Sequence, residues 1–393
     1  MVIRTLGRFT FAIMCALMVV PVASVSAVSV TIGSFQGTWK PATTYGVGVV
    51  VVYKSQTFLS LLGANKGRDP TKLPKYWQIV GSNAGGPQGP KGSPGASLNL
   101  QQIAMKRWYA ANTTASVAVQ QGTCPHEVMF DGRVIWSGNT GDSSISSFEP
   151  SSGKPVDLIQ TGGTGGLGDI AYDGLNYWAV TTNVTPNVRK FDYHGNLLGS
   201  ATVGTGPYRL AFDGTNMWVS DFLGDAVYRL NVSTLAVAGP FAVGNAPQGL
   251  MFDGTSIWVA NSGDNTVMKL DKASGAQVGT YQTGPGPSRI AFDGINVWVT
   301  NHESNTVSRL RANDGGGSVQ FVVGQQPDNI VFDGESIAVT MPIDETLVRV
   351  DPKTGTVTSS TPVGTGGVGI SGLAFDGANY WVTGCTTKKL YKM

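Results

Sequence analysis

The sequence predicts an all-β protein whose main part is a seven-bladed β-propeller of four-stranded antiparallel blades. Two observations predict this fold: a triplet that repeats at regular steps, and strand-like alternation of apolar and polar residues around it. An aromatic residue followed by Asp-Gly occurs seven times, at steps of 42, 40, 40, 40, 40 and 43 residues. A period of about 40 residues is the size of one propeller blade. The aspartates of the triplets, called the repeat aspartates below, are Asp131, Asp173, Asp213, Asp253, Asp293, Asp333 and Asp376.

The fourth repeat illustrates how a single blade is built. Residues 248–252 are predicted to form an inner strand, 256–261 a second strand and 266–270 a third, with an outer strand near 277–282. Each segment alternates in polarity, as a half-buried antiparallel strand does. The sixth repeat differs from the others, because Ala338 stands where the other six carry Trp.

The Asp-Gly pair of each repeat is predicted to be a tight hairpin between the first two strands. Glycine tolerates a positive φ, and aspartate can accept hydrogen bonds within its own turn. The residue spacing of a calcium-binding loop is absent. We therefore interpret the repeat aspartates as architecture and expect no metal site and no cofactor.

The two ends of the repeat region are predicted to close the ring. The last repeat ends after its third strand, and residues 115–121 resemble the outer strand that precedes each later blade. We expect this segment to complete blade 7, which removes two exposed strand edges. Cys124 and Cys385 then lie on the same face, so a disulfide between the first and last blades is predicted, with two free thiols as the alternative.

The N-terminus is predicted to be an export signal covering residues 1–27. Arg4 and Arg8 precede a mostly apolar run over 9–20, and small residues end at Ala27. A membrane anchor is the alternative, but the run is short for a bilayer span and is followed by Pro21. We therefore expect a secreted, extracellular or cell-surface protein of bacterial type, with the periplasm as a further location and no membrane span after cleavage.

The composition argues against two classes of partner. Charged residues make up 13% of the chain, against about 25% in typical soluble domains. The net charge is +2. Neither value favours nucleic acid or acidic lipid as a partner.

Residues 28–81 are predicted to form a small β module. It resembles chitin-binding-type carbohydrate-binding modules at positions that include Gly37-Thr38-Trp39, Tyr53, Phe58 and Pro70. The resemblance implies that exposed aromatic side chains stack on sugar rings, and the candidates are Trp39, Tyr45 and Trp77. The tandem tryptophans of that family would fall near Leu61-Leu62, which are not aromatic. A spacer or an oligomerisation module is the alternative.

Residues 82–97 are predicted to be a linker, because residues 86–97 form four Gly-X-Y triplets like those of collagen. Four triplets are too few to hold a triple helix alone, so we expect an extended, semi-rigid segment. A trimer nucleated by the flanking domains remains open.

The repeats over residues 98–393 resemble YVTN-type and NHL-like propellers. The resemblance is clearest in Trp258-Val259-Ala260-Asn261 and Trp298-Val299-Thr300-Asn301. It implies the fold but no particular activity, because such folds carry many functions.

Function is expected where the blades differ, at the channel mouth on the face of the crossover loops. This ring mixes both charges with hydrogen-bonding groups, which suits a polar ligand such as a glycan or an extracellular protein. The channel-mouth candidates are His126, Glu127, Asp169, Tyr208, Arg209, Gln248, Ser288, Arg289, Asp328 and Asn329, and the neighbouring loops add Asp142, Asp221, Asp264, His302 and Glu303.

An enzyme is the main alternative function. Streptogramin lyase-like propellers use His and Glu residues with a magnesium ion on this face, and His126-Glu127 and His302-Glu303 are similar pairs. The pairs belong to non-neighbouring blades, so we do not expect them to share a metal. No nucleophile elbow, phosphate loop or zinc spacing is present, and no catalytic residue is assigned. A purely structural extracellular element is the third hypothesis.

Overall fold

The structure is a computed structural model that divides into two compact units, Met1–Gly95 and Ala96–Met393. The described residues are 124–162, 166–182 and 187–393, together with 10–11, 30–31, 35–38, 40–45, 49–53, 56–60, 65–72, 77–82 and 116–118. In this part of the chain, no helix has the length and apolarity needed to cross a membrane. The collagen-like triplets lie outside the described residues, as does the export signal apart from residues 10–11.

The N-terminal unit contains a four-stranded sheet whose first pair of strands is parallel. Its strands, in spatial order, are β3 (Phe35–Thr38), β5 (Val50–Tyr53), β6 (Gln56–Ser60) and β8 (Trp77–Ser82). Two short antiparallel pairs accompany it: β1 (Thr10–Phe11) with β2 (Val30–Thr31), and β4 (Thr44–Tyr45) with β7 (Asn65–Lys66). Tyr45, Val49, Val51 and Phe58 form its core.

The second unit is the predicted seven-bladed propeller, and every blade is a four-stranded antiparallel sheet. Blades 1 to 4 consist of β10 (Pro125–Phe130), β11 (Ile135–Asn139), β12 (Ser144–Phe148) and β13 (Pro155–Gln160); β14 (Leu167–Tyr172), β15 (Tyr177–Thr181), β16 (Asn187–Phe191) and β17 (Leu197–Thr202); β18 (Pro207–Phe212), β19 (Asn216–Asp221), β20 (Ala226–Asn231) and β21 (Val237–Ala242); and β22 (Pro247–Phe252), β23 (Ser256–Asn261), β24 (Thr266–Asp271) and β25 (Gln277–Gln282). Blades 5 to 7 consist of β26 (Pro287–Phe292), β27 (Asn296–Asn301), β28 (Thr306–Arg311) and β29 (Val319–Val322); β30 (Ile330–Phe332), β31 (Ile337–Met341), β32 (Thr346–Val350) and β33 (Val357–Pro362); and β34 (Ile370–Phe375), β35 (Tyr380–Gly384), β36 (Lys389–Lys392) and β9 (Ser116–Ala118).

Ring closure occurs as the sequence predicted. Strand β9 pairs antiparallel with β36, so a segment that precedes blade 1 supplies the outer strand of blade 7. A disulfide joins Cys124 to Cys385 across 261 positions of sequence. The stretch of chain that leads into blade 1 is therefore joined to blade 7 both by backbone hydrogen bonds and by a covalent bond.

The repeat aspartates are hairpin residues, as predicted. In blade 5, Asp293 Oδ1 accepts the backbone N–H groups of Ile295 (2.8 Å) and Asn296 (2.6 Å). Its Oδ2 accepts Nε1–H of Trp298 at 2.8 Å. The same bond to the tryptophan five residues later, also at 2.8 Å, occurs in blades 1, 2, 3, 4 and 7. Each carboxylate thus fixes a turn and orients a fully buried indole.

Blade 6 replaces that bond with a contact from its neighbour. Because Ala338 has no donor, Asp333 instead accepts hydrogen bonds from the Tyr380 hydroxyl of blade 7 and, at 3.2 Å, from Arg349. The carboxylate therefore remains hydrogen-bonded although the tryptophan is missing.

A basic side chain on the third strand connects most blades to the next. In blade 4, Lys269 lies opposite Trp258 in the register and 5.2 Å from its ring centroid. Its Nζ donates to the carbonyl of Ala312 in blade 5, at 2.6 Å. Lys190, Arg229, Arg309 and Lys392 make the corresponding pair of contacts, and Lys392 of blade 7 reaches Pro150 of blade 1. We refer to these side chains as the basic staples.

Candidate functional site

The candidate site lies where the inner strands of the propeller meet. Asp169, Arg209, Gly249, Arg289 and Asn329 line a central chamber of about 110 Å³. All five stand four positions before a repeat aspartate, at a point where the blades differ. The other two residues at this position are Glu127 in blade 1 and Gly372 in blade 7.

Glu127 links three blades through one carboxylate oxygen. Its Oε1 accepts from Arg209 Nη1 of blade 3 at 2.7 Å and from Arg289 Nη2 of blade 5 at 2.6 Å. It also lies 2.9 Å from Nδ1 of His126. Glu127 and Arg209 are only 5% and 4% exposed. We call Glu127, Asp169, Arg209 and Arg289 the buried charge cluster.

The surroundings keep Glu127 ionised. Burial by itself would raise the pKa of its carboxyl group, but Arg209 and Arg289 outweigh burial and hold the pKa well below the ordinary glutamate range. Burial likewise opposes the charge of Arg289, yet Glu127, Asp328 and Asp169 raise the pKa of its guanidinium. The two opposite charges stabilise each other in a site from which solvent is largely excluded.

The pKa of Asp169 is shifted in the opposite direction, although this residue lies in the same cluster. Its Oδ1 accepts the backbone N–H of Ile170 at 2.9 Å, and its Oδ2 accepts that of Leu210 at 2.8 Å. Burial, reinforced by the negative charge of Glu127, raises the pKa of Asp169 to about 6, although Arg209 and Arg289 act to lower it. One carboxylate of the pair is therefore ionised throughout the physiological range, and the other titrates just below it.

A larger cleft of about 510 Å³ lies on the face that carries the crossover loops. Tyr208 and Phe222 form an aromatic wall, with ring centroids 5.8 Å apart. The guanidinium carbon of Arg209 is 4.1 Å from the Tyr208 centroid, and Nη2 of Arg209 donates to the tyrosine hydroxyl at 3.2 Å. Because Arg209 is fixed by Glu127, it also fixes this ring. The remaining lining residues are His126, Gln248, Ser262, Gly263, Gly286, Ser288, His302, Glu303, Asp328 and Pro342.

Hydroxyl groups on the second strands hold neighbouring inner strands in place. Ser220 Oγ accepts the backbone N–H of Arg209 and donates to the carbonyl of Gln248 in the next blade, at 3.0 and 2.9 Å. Thr340 and Thr383 make the same bridge to Ser371 and His126. The hydroxyl stands seven positions after the repeat aspartate in each of these blades, so the repeat itself positions the site.

The structure brings together the channel-mouth residues that the sequence singled out. Glu127, Asp169, Arg289 and Asn329 line the chamber or contact its walls, whereas Arg209 borders both spaces. The others line the cleft: His126, Tyr208, Gln248, Ser288, His302, Glu303 and Asp328. The two histidines, on non-neighbouring blades, thus face one cleft. Among the described side chains, no three His, Cys, Asp or Glu groups meet at metal-binding distance.

Some of the neighbouring loop aspartates have local structural roles instead. Asp221 is buried and accepts the backbone N–H of Gly206 at 2.6 Å, and Asp264 accepts that of Asn245 at 2.8 Å. Sequence reasoning missed Phe222 and Pro342. Both stand immediately after a second strand, at the position equivalent to His302, so the repeat register alone could have found them.

The sugar-stacking candidates belong to the N-terminal unit. Tyr45 is 1% exposed, and its hydroxyl accepts the backbone N–H of Lys40 at 2.7 Å, which makes it a core residue of that unit. Trp39 lies outside the described residues, as does the side chain of Trp77.

Neither a protein-family model nor a curated protein sequence matches the chain. Solved structures do match. A streptogramin B lyase has a TM-score of 0.61 at 16% identity, covering 70% of this chain and 95% of its own. Virginiamycin B lyase from Staphylococcus aureus has the same TM-score at 17% identity, covering 70% and 97%. A catalytically inactive His-to-Ala form of that enzyme, with quinupristin, gives 0.61 at 18% identity, with the same coverage. The likeness is one of fold.

Proposed function

We propose that the propeller binds a glycan in the cleft lined by Tyr208, Phe222 and the polar residues around them. The observation that carries the proposal is the combination of an aromatic wall with several hydrogen-bonding side chains in one cleft of about 510 Å³. Ligand sites commonly pair apolar surface with a few convergent polar groups. A sugar ring offers an apolar face to the aromatic wall and hydroxyl groups to the polar residues.

The charges of the site also favour a neutral, hydroxyl-rich ligand. The guanidiniums of Arg209 and Arg289 are engaged by Glu127, and Asp328 lies 3.9 Å from Nε of Arg289. The cations beneath the cleft are thus compensated within the protein. A strongly anionic ligand would have to compete with these internal carboxylates.

We further propose that the protein works outside the cytoplasm, as a secreted or surface-exposed binding protein. The predicted export signal supports this location, and a disulfide is characteristic of oxidising compartments. The N-terminal module would then act as a second contact, to a sugar or to another copy of the chain, joined through the collagen-like linker. An extracellular protein is the other class of ligand that the cleft would admit.

The test is a binding screen of the mature chain, after removal of residues 1–27, against soluble cello-, chito-, xylo- and manno-oligosaccharides. Tyr208→Ala should weaken binding by about 1–2 kcal/mol, because one aromatic contact is lost. Tyr193→Ala is the matched control, because this exposed tyrosine contacts His194 in a turn and is not among the described residues that line the cleft. Trp77→Ala probes the N-terminal module separately. The proposal is wrong if the intact chain binds no oligosaccharide, or if both tyrosine variants bind equally well.

A lyase-like activity is the second candidate, and one specific observation favours it. His126, His302 and Glu303 line the same cleft of a propeller that shares its fold with streptogramin B lyases. Incubation with quinupristin and magnesium, followed by chromatography of the antibiotic, tests this activity directly. Conversion that His302→Ala abolishes and His194→Ala leaves intact would favour the enzyme over the binding protein.

A further inference from the structure

We propose that His126 is a hydrogen-bond acceptor of fixed direction in the cleft, and that Glu127 positions it by accepting the hydrogen bond from its Nδ1–H group. This inference rests on the proposed function in one respect, since the donor is taken to be a hydroxyl group of the bound glycan. The placement of the proton on His126 can be decided without any ligand.

The geometry around Glu127 determines which histidine nitrogen carries hydrogen. Nδ1 of His126 lies 2.9 Å from Oε1 of Glu127, within hydrogen-bonding distance. An ionised carboxylate has no hydrogen to give, so the histidine must be the donor in this contact. A neutral imidazole carries hydrogen on one nitrogen only. Its Nε2 must then present a lone pair.

The carboxylate cannot easily leave this arrangement. Arg209 and Arg289 approach the same Oε1 atom at 2.7 and 2.6 Å from two other blades. Glu127 is 5% exposed, so rotation would break three contacts in a site from which water is largely excluded. The orientation of the His126 ring is therefore set by Glu127, which Arg209 and Arg289 hold in place.

His126 is open to a ligand on its other side. Its side chain is 34% exposed and lines the cleft that contains Tyr208 and Gln248. In the cleft, arginine donates only, the carboxylates of Glu303 and Asp328 accept, and amide and hydroxyl groups can act either way. A fixed imidazole lone pair therefore adds an acceptor of defined direction, which selects for a hydroxyl group of the ligand at that point.

His302 provides the matched control inside the same molecule. It lines the same cleft, and its ring has no hydrogen-bond partner among the described residues. His194, the third histidine of the chain, is in an exposed turn. Three histidines are few enough for each ring to be assigned by single substitutions.

The experiment is a long-range ¹⁵N–¹H correlation spectrum of the ¹⁵N-labelled mature protein. It is recorded at pH 8.5, well above the ordinary imidazole pKa of about 6.5. We expect hydrogen on Nδ1 and a lone pair on Nε2 for His126, and the tautomer mixture of a free ring for His302. Glu127→Gln should shift His126 toward the ordinary mixture. If that variant does not fold, the wild-type spectrum still decides the tautomer.

The second step is a titration with cellohexaose, chitohexaose, xylohexaose and mannohexaose. A sugar that binds should move the Nε2 resonance of His126 toward the position of a hydrogen-bonded nitrogen, and His126→Ala should reduce its affinity several-fold. Hydrogen on Nε2, a doubly protonated ring at pH 8.5, or a binding sugar that moves only His302 would overturn the inference. If none of the four binds, the glycan function loses its support, whereas the tautomer still tests the positioning by Glu127.

Discussion

Asp169→Asn should change how the stability of the propeller depends on pH. Asp169 is 9% exposed and faces Glu127, Arg209 and Arg289 in the buried charge cluster. Asparagine has nearly the same shape and no charge, so it keeps one of the two bonds that Asp169 accepts from Ile170 and Leu210. The lost bond costs about 1 kcal/mol at every pH. What depends on pH is the cost of ionising a buried carboxyl group.

The magnitude follows from the pKa of the carboxyl group. The pKa of Asp169 is raised to about 6 in the folded protein, chiefly by burial, against an ordinary value of about 3.9. This gap corresponds to about 3 kcal/mol. Between these two values the folded state binds the proton and the unfolded state does not. The contribution of Asp169 to stability is therefore highest below pH 4, falls as the pH rises through 6, and is constant above about 7.

Urea-induced unfolding of wild type and variant, measured from pH 4 to pH 8, tests this reasoning. The free energy of unfolding of Asp169→Asn relative to wild type should rise by up to about 3 kcal/mol between pH 4 and pH 7. Asp264→Asn is the matched control, because it makes the same substitution at an exposed aspartate outside the buried charge cluster. A wild-type-to-variant difference that stays constant over the whole range would refute the burial argument.

Substitutions at the disulfide, at a basic staple and in an inner strand are expected to destabilise the propeller. Cys124→Ser with Cys385→Ser should lower the free energy of unfolding by at most about 5 kcal/mol, because the disulfide closes a long loop, and a melting temperature unaffected by reductant in wild type would contradict this. Lys269→Met should cost about 2 kcal/mol in thermal unfolding, because the carbonyl of Ala312 loses a charged donor, whereas the exposed Lys353→Met should cost almost nothing. Gly249→Ala should cost about 1–3 kcal/mol in the same assay, because its methyl group would lie 2.4 Å from the backbone oxygen of Ser288. A variant as stable as wild type would show that the inner strands can separate freely.

The repeat register was sufficient to predict the fold and most of the candidate site. In a propeller every blade presents the same sequence position to the channel, so counting four and five residues back from each repeat aspartate finds Glu127, Tyr208, Arg209 and Arg289. Positions that vary among otherwise similar repeats are also those that the fold itself does not require. The repeat aspartates illustrate the converse, because their role is identical in almost every blade.

The contacts across the channel could not be read from the sequence in the same way. Glu127 joins Arg209 and Arg289 only because the rotamers of three long side chains meet near the channel axis, and periodicity does not determine rotamers.

Most of the basic staples, in contrast, could have been predicted from the sequence. A Lys or Arg stands sixteen residues after the repeat aspartate in blades 3 to 7, and in all of these except blade 6 it is a basic staple opposite the buried tryptophan of the hairpin. That regularity is invisible unless the strands are first paired.

Ring closure and the candidate site are built by the same stretch of chain. Residues 116–118 complete blade 7, Cys124 carries the disulfide, and Glu127 follows three residues later as the centre of the buried charge cluster. Thr383 of blade 7 adds to this arrangement by donating to the carbonyl of His126. Glu127 belongs to blade 1 and contacts Arg209 of blade 3 and Arg289 of blade 5, so its carboxylate bridges blades that the closed ring brings around one channel. The proposed orientation of His126 and the stacking of Arg209 on Tyr208 both depend on these contacts of Glu127.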